Sequence, residues 1–161
     1  MAIPNTEIRE GTQVEERTFV YLKPNTIQRQ LVGEVIRRFE RRGLKIVGMK
    51  MLWMSKEQAV ELYKEHIGKD FYEPLIKFVT SGPVVAMVLE GPHAIELVRH
   101  TIGNTDPLKA SGGTIRGDYA ISVRKNIVHA SDSLESATRE ISLFFKAEEL
   151  FDYPLLLEEH F

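Results

Sequence analysis

The chain has no cysteine among its 161 residues. Disulfides, thiolate nucleophiles and thiolate metal sites are thereby excluded, and the composition fits a reducing compartment. No apolar stretch approaches the ~20 residues that a membrane-spanning helix requires. The opening MAIPNTEIREGTQVEERTF is polar and acidic, without the apolar core of a signal peptide. A cytoplasmic protein with no membrane partner is expected. A large excess of either charge is also missing: 21 Lys and Arg against 23 Asp and Glu leave a net charge of −2, so nucleic acid is not expected as the primary ligand. G-x-x-x-x-G-K-[ST] is absent, which excludes a P-loop. GGTIRG (112–117) does not match G-x-G-x-x-G and does not join a strand to a helix. No histidine pair has metal-ligand spacing with a carboxylate, so no protein-held metal is expected; a metal arriving on a substrate stays open.

What is present is the composition of a globular protein, 43% apolar and 27% charged. A chain of this length forms one domain that buries roughly two-thirds of its unfolded surface. Residues 1–17 read as a polar, flexible arm. TFVYLKP (18–24) reads as a buried strand stopped by Pro24, and Asn25 and Thr26 open a helix carrying Leu31, Val32, Val35, Ile36 and Phe39 at helical spacing. KIVGMKMLW (45–53) alternates as a strand. SKEQ (55–58) is a capping box for a helix through about His66. FYEPLIKFVTSG (71–82) is helical, with Phe71, Leu75, Phe78 and Val79 on one side and Pro74 tolerated in the first turn. PVVAMVLEG (83–91) is apolar throughout, the pattern of a central strand. A helix from Pro92 to Gly103, an irregular loop over 104–119, a strand over 120–130 and a helix from Asp132 to about Phe145 follow. There is no internal repeat and no linker.

The order is β-α-β-α-α-β-α-loop-β-α, and the helices are amphipathic rather than wholly apolar. That pattern suits helices on one face of a small antiparallel sheet. An α+β domain with a ferredoxin-like βαββαβ core and additional helices is the first expectation, and a doubly wound parallel sheet the second.

The candidate chemistry lies at element ends. Lys23 ends the first strand, Arg99 sits late in a helix, Thr105 opens the long loop and Arg116 closes it, and Asn126 and His129 end the last strand. Guanidinium groups match phosphate geometry bidentately, so this set is a candidate polyphosphate clamp if it converges. His129, read from the residues alone, is either a surface histidine in a strand-to-helix turn or a ring near a helix N-terminus that favours an anion. In the second case a neutral imidazole is a candidate nucleophile, provided one ring nitrogen is free and an acceptor ties the other. Glu140, two turns into the following helix, is a candidate acceptor.

NIVHASDSLESATREI (126–141), with TIRGDY, SGPVVAMVLEG and TFVYLKP, resembles the nucleoside diphosphate kinase family, from about Thr18 to Tyr153. The resemblance implies a ferredoxin-like domain over 18–153; the arm over 1–17 and a tail over 154–161 lie outside it. It also implies a homo-oligomer, a hexamer or tetramer built from dimers. The implied activity transfers the γ-phosphoryl group of a nucleoside triphosphate to a nucleoside diphosphate through a phosphohistidine, with Mg²⁺ carried by the nucleotide. By the same resemblance His129 is the phosphorylated residue, Glu140 orients its ring, and Lys23 and Asn126 hold the sugar hydroxyls and nearby phosphate. Arg99, Thr105 and Arg116 form the phosphate clamp. Phe71 stacks on the base, Val123 covers its other face, and Leu75 belongs to the same wall. Tyr63 is a tyrosine near the nucleophile, and Ser131 the serine after it. The family's long loop contributes to subunit contacts and borders the nucleotide site. Ala130 stands where the family usually has glycine, which would be strained if the backbone there had positive φ.

Overall fold

Pro83–Pro92 is a strand whose residues from Val84 to Gly91 are all buried, so both of its faces must be covered. The structure is a computed structural model that describes residues 6–8 and 14–156. Its strands are β1 (Thr6–Ile8), β2 (Val14–Leu22), β3 (Lys45–Trp53), β4 (Pro83–Pro92) and β5 (Val128–Ala130). Its helices are α1 (Pro24–Gln28), α2 (Val32–Arg41), α3 (Lys56–Leu62), α4 (Tyr72–Val79), α5 (Ala94–Ile102), α6 (Ile115–Tyr119) and α7 (Leu134–Phe144). Every strand pairing is antiparallel. β4 runs between β2 and β3; the far edge of β2 pairs with β5 at Val20–Leu22 and with β1 at Val14–Glu16.

Helices cover both faces of this sheet, which corrects the expectation of one covered face. Phe19 and Tyr21 of β2 and Val84, Ala86 and Val88 of β4 face α3, α4 and α7. Val20 and Leu22, with Val85, Met87 and Leu89, face α2, α5 and α6. Side chains alternate across a strand, so two apolar layers need two sets of helices. The unbroken apolar run of β4 already carried that signal.

Other boundaries moved for identifiable reasons. β2 begins at Val14 rather than Thr18, because Glu15, Glu16 and Arg17 pair with Pro92, Gly91 and Glu90. The expected arm therefore loses residues 6–8, as β1, and 14–17, as the start of β2, to the sheet, while residues 1–5 and 9–13 lie outside the described residues. The first expected helix is two, α1 and α2, split at Gln30, whose φ of 59° is left-handed. α3 ends at Leu62, and a 3₁₀ turn over Lys64–His66 follows. The capping box that opens α3 is present in full: Gln58 N–H donates to Ser55 Oγ, and Ser55 N–H to the Gln58 side chain.

The long loop holds a 3₁₀ turn, Pro107–Lys109, and α6, whose Thr114 Oγ1 accepts from Gly117 N–H at 3.0 Å. The last strand shrinks to Val128–Ala130, because residues 120–127 run through turns and the Asn126 carbonyl accepts from Arg116 instead. Beyond α7 the chain stays attached to β3: Phe151 N–H donates to the Val47 carbonyl at 2.8 Å, and Lys45 Nζ to the Tyr153 carbonyl at 2.6 Å. Of the expected tail over 154–161, residues 157–161 lie outside the described residues.

Candidate active site

Two short antiparallel segments place the reactive residues. Tyr21 of β2 is directly opposite His129 of β5, so both project from the α7 face of the sheet. Lys23 follows at the end of β2, where Pro24 opens α1, and its backbone N–H donates to the Ile127 carbonyl at 2.9 Å. Thr26 Oγ1 donates to the same carbonyl at 2.6 Å. These two bonds turn the Ile127 backbone. Its φ of 78° is left-handed, an unusual state for a fully buried β-branched residue, costing about 1–3 kcal/mol. The strain sits here and not at Ala130, which lies in β5 and is not among the residues with positive φ.

α7 supplies the tether for the imidazole. Glu140 Oε1 lies 2.5 Å from His129 Nε2, and Oε2 accepts from Ser131 Oγ at 2.6 Å. A carboxylate only accepts, so in the neutral ring Nε2 carries the proton and Nδ1 keeps a lone pair. The ring is held from its sides as well. Tyr21 stacks on it at 5.2 Å between centroids, and Tyr63, just past α3, meets it edge-on at 5.9 Å. The two tyrosine hydroxyls are hydrogen-bonded to one another. Burial raises both phenols well above their ordinary range, so they stay protonated.

Cations converge on the same place. Arg116 of α6 is buried, and three backbone carbonyls fix its guanidinium: Gly103 at 3.0 Å, Asn126 at 3.2 Å and Val128 at 2.6 Å. Burial, then the neighbouring Arg99, lowers it to about 10, which leaves it charged at neutral pH. Arg99 of α5 donates to the Ala130 carbonyl at 3.2 Å. Lys23 is lowered to about 7, first by burial and then by Arg116. Asn126 Nδ2 donates to the Thr105 carbonyl at 3.0 Å and so ties the loop to the strand end, while its Oδ1 is buried with no partner among the described residues. A buried carbonyl left unpaired is costly, and a ligand hydroxyl or amine would relieve it.

The titratable groups among these, Tyr21 excepted, border one cleft of about 580 Å³ together with Thr105 and Asn126, and Phe71, Leu75 and Val123 give it an apolar side. Phe71 caps the start of α4 with its ring partly exposed, and Leu75 follows one turn later. Ser131 sits behind the cleft, buried against Glu140 and the Phe19 carbonyl. Each residue singled out from the sequence is thus at the cleft or supports one that is. Some neighbours went unnoticed there. His66 packs against Phe71 at 5.2 Å, and Arg124 and Arg139 also line the cleft. The basic run VRKN was a signal for Arg124; nothing in sequence spacing pointed to the others. Among the described residues no group of three or more His, Asp or Glu is placed to hold a metal ion.

The arrangement offers an oriented imidazole nitrogen with a free lone pair, fixed cations around it and an apolar slot beside it. It suits attack on an electrophile that carries several negative charges and a flat ring system.

Comparison with known proteins converges on one family. The family model described as nucleoside diphosphate kinase matches residues 16–150. The nucleoside diphosphate kinase of Kosmotoga olearia is 70% identical over 146 residues, covering 91% of this chain and 99% of the relative. That of Thermosipho melanesiensis is 61% identical over 144 residues, covering 89% and 98%. Among solved structures, a halophilic nucleoside diphosphate kinase from Halobacterium salinarum in complex with CDP superposes with a TM-score of 0.88. It shares 44% identity over 91% of this chain and 97% of its own.

Proposed function

This chain belongs to the nucleoside diphosphate kinase family of phosphotransferases, and from that premise we propose that it transfers the γ-phosphoryl group in two steps through a phosphohistidine on His129. In the first step the Nδ1 lone pair attacks the γ-phosphorus of a nucleoside triphosphate. The new N–P bond forms as the bond from phosphorus to the β–γ bridging oxygen breaks, and that electron pair leaves on the diphosphate. An acceptor diphosphate then reverses the steps. Positive charge grows on the ring as the bond forms, and Glu140 stabilises it through Nε2–H. Arg99, Arg116 and Lys23 face the negative charge on the transferring and leaving oxygens, the main task of the protein in phosphoryl transfer. The observation that carries this reading is the Glu140 tether, which leaves Nδ1 as the free nitrogen in a cation-lined cleft.

In the same reading Phe71, Val123 and Leu75 hold the base by stacking and apolar contact, so purines and pyrimidines both serve. Lys23 and Asn126 hold the sugar, and Thr105 joins the two arginines in the clamp. Mg²⁺ is part of the substrate, held by the nucleotide phosphates, where it neutralises phosphate charge. The strand order β5-β2-β4-β3 supports reading the fold as ferredoxin-like. Met49, Met51 and Trp53, exposed at alternate positions along edge strand β3, support a homo-oligomer, a hexamer or tetramer built from dimers. A cytoplasmic location completes the proposal.

Steady-state kinetics test the two-step scheme. Double-reciprocal plots with donor and acceptor both varied are expected to be parallel, as a covalent enzyme intermediate requires. Lines that intersect would mean direct transfer in a ternary complex.

Lys23 gives the scheme a pH signature. With its ammonium lowered to about 7, the free protein holds this group largely neutral at pH 8. A bound polyphosphate favours the charged form and raises that value again. Binding is therefore expected to take up close to one proton at pH 8, and affinity to fall as pH rises above about 7. Calorimetry of Mg·ADP binding in buffers of different ionisation enthalpy measures the uptake. It is expected to vanish in Lys23→Met, and a wild-type protein that takes up no proton contradicts this role.

A further inference from the structure

Tyr21 has no role in the chemistry above, yet it is in register with His129 across the β2–β5 ladder, and its ring covers one face of the imidazole at 24° between planes. It is fully buried, and its hydroxyl meets that of Tyr63. Each hydroxyl has one proton to give, so either Tyr21 donates to Tyr63 or the reverse. Tyr63 borders the cleft and Tyr21 does not. Only Tyr63 therefore has a second direction in which to send a proton. With an anion beside His129, donation from Tyr63 to Tyr21 would turn a phenol lone pair toward negative charge. Donation from Tyr21 to Tyr63 avoids that clash, and it also polarises the Tyr63 O–H into a stronger donor. Both protons are present throughout the neutral range, because burial raises both phenols.

Resting on the phosphotransfer reading, we propose that Tyr21 is a positioning residue that plates one face of the His129 ring and donates to Tyr63, so that Tyr63 presents its own proton to the phosphoryl group at Nδ1. The test is a double-mutant cycle of Tyr21→Phe, Tyr63→Phe and the two combined. Single-turnover phosphorylation by Mg·ATP is measured for each, with Mg·ADP affinity measured separately. Tyr21→Phe keeps the ring and loses only the hydroxyl. It is expected to slow phosphorylation about three- to tenfold, the value of one neutral hydrogen bond, with Mg·ADP affinity unchanged. Because the hydroxyl acts through Tyr63, the same substitution in Tyr63→Phe is expected to cause no further slowing. An unchanged rate in Tyr21→Phe, equal slowing in both backgrounds, or a matching loss of Mg·ADP affinity would each overturn the proposal. A wild-type protein that takes no phosphoryl group at His129 overturns the functional reading and this proposal together, whereas labelled wild type with an additive cycle overturns the proposal alone.

Discussion

Replacing His129 by alanine is expected to lower phosphoryl transfer by about ten-thousand-fold or more, the scale on which enzymes lose rate when their nucleophile is removed. Nucleotide affinity is expected to stay within a few-fold of wild type, since the groups proposed to hold base, sugar and phosphates are elsewhere. The protein should remain folded. Glu140 loses its Nε2–H partner but keeps the Ser131 hydroxyl, so the polar part of the cost is that of one hydrogen bond to a charged group, about 1.5–3 kcal/mol, to which the lost ring contacts with Tyr21 and Tyr63 add. Coupled-assay turnover and Mg·ADP calorimetry on the same sample separate the two effects. Turnover within about tenfold of wild type would show that the group attacking phosphorus is not His129.

The second large effect concerns the sugar. In the proposed pose Lys23 and Asn126 surround the ribose 3′-hydroxyl, and the buried Asn126 Oδ1 has no partner among the described residues. Held there, the 3′-hydroxyl can donate to the oxygen bridging the β- and γ-phosphates. Negative charge collects on that oxygen as its bond to phosphorus breaks, so the contact strengthens in the transition state and raises kcat rather than only lowering KM. A hydrogen bond to a charged group is worth about 1.5–3 kcal/mol, which corresponds to about a ten- to hundredfold rate. Triphosphates lacking only the 2′-hydroxyl are expected to phosphorylate the protein almost normally, and 2′,3′-dideoxy triphosphates more slowly by at least that factor. Single-turnover labelling with each donor measures the difference. Equal rates for deoxy and dideoxy donors would remove the 3′-hydroxyl from the mechanism, and with it the placement of Lys23 and Asn126.

The parts of the fold that were legible in the chain are those where local pattern and tertiary environment agree. The apolar run at 83–91 is the central strand because only a strand covered on both faces tolerates it, and SKEQ caps α3 through bonds made within four residues. What misled were segments whose shape depends on distant partners. AISVRKNIVHA reads as eleven strand residues, but Arg116, Lys23 and Thr26 draw the backbone around Ile127 into a left-handed turn, leaving three residues for β5. Gln30 splits a helix that is continuous by spacing.

The site was legible as a set of residue types at element ends, and its convergence was not. Glu140 is eleven residues from His129 in sequence, and only the packing of α7 against β2 brings its carboxylate to Nε2. Tyr21 was hidden for the opposite reason. As one apolar position in TFVYLKP it counts as core, and so it is, but the β2–β5 register sets that core position against the imidazole.

A phosphoryl group held on His129 is read directly from the fate of label from γ-labelled ATP. After a short incubation without acceptor, the protein is expected to carry close to one phosphoryl group per chain. The label should be lost in acid, stable in base, located on His129 by peptide mapping, and released as labelled triphosphate when a nucleoside diphosphate is added. No label, or label that survives acid or maps to another residue, would contradict it.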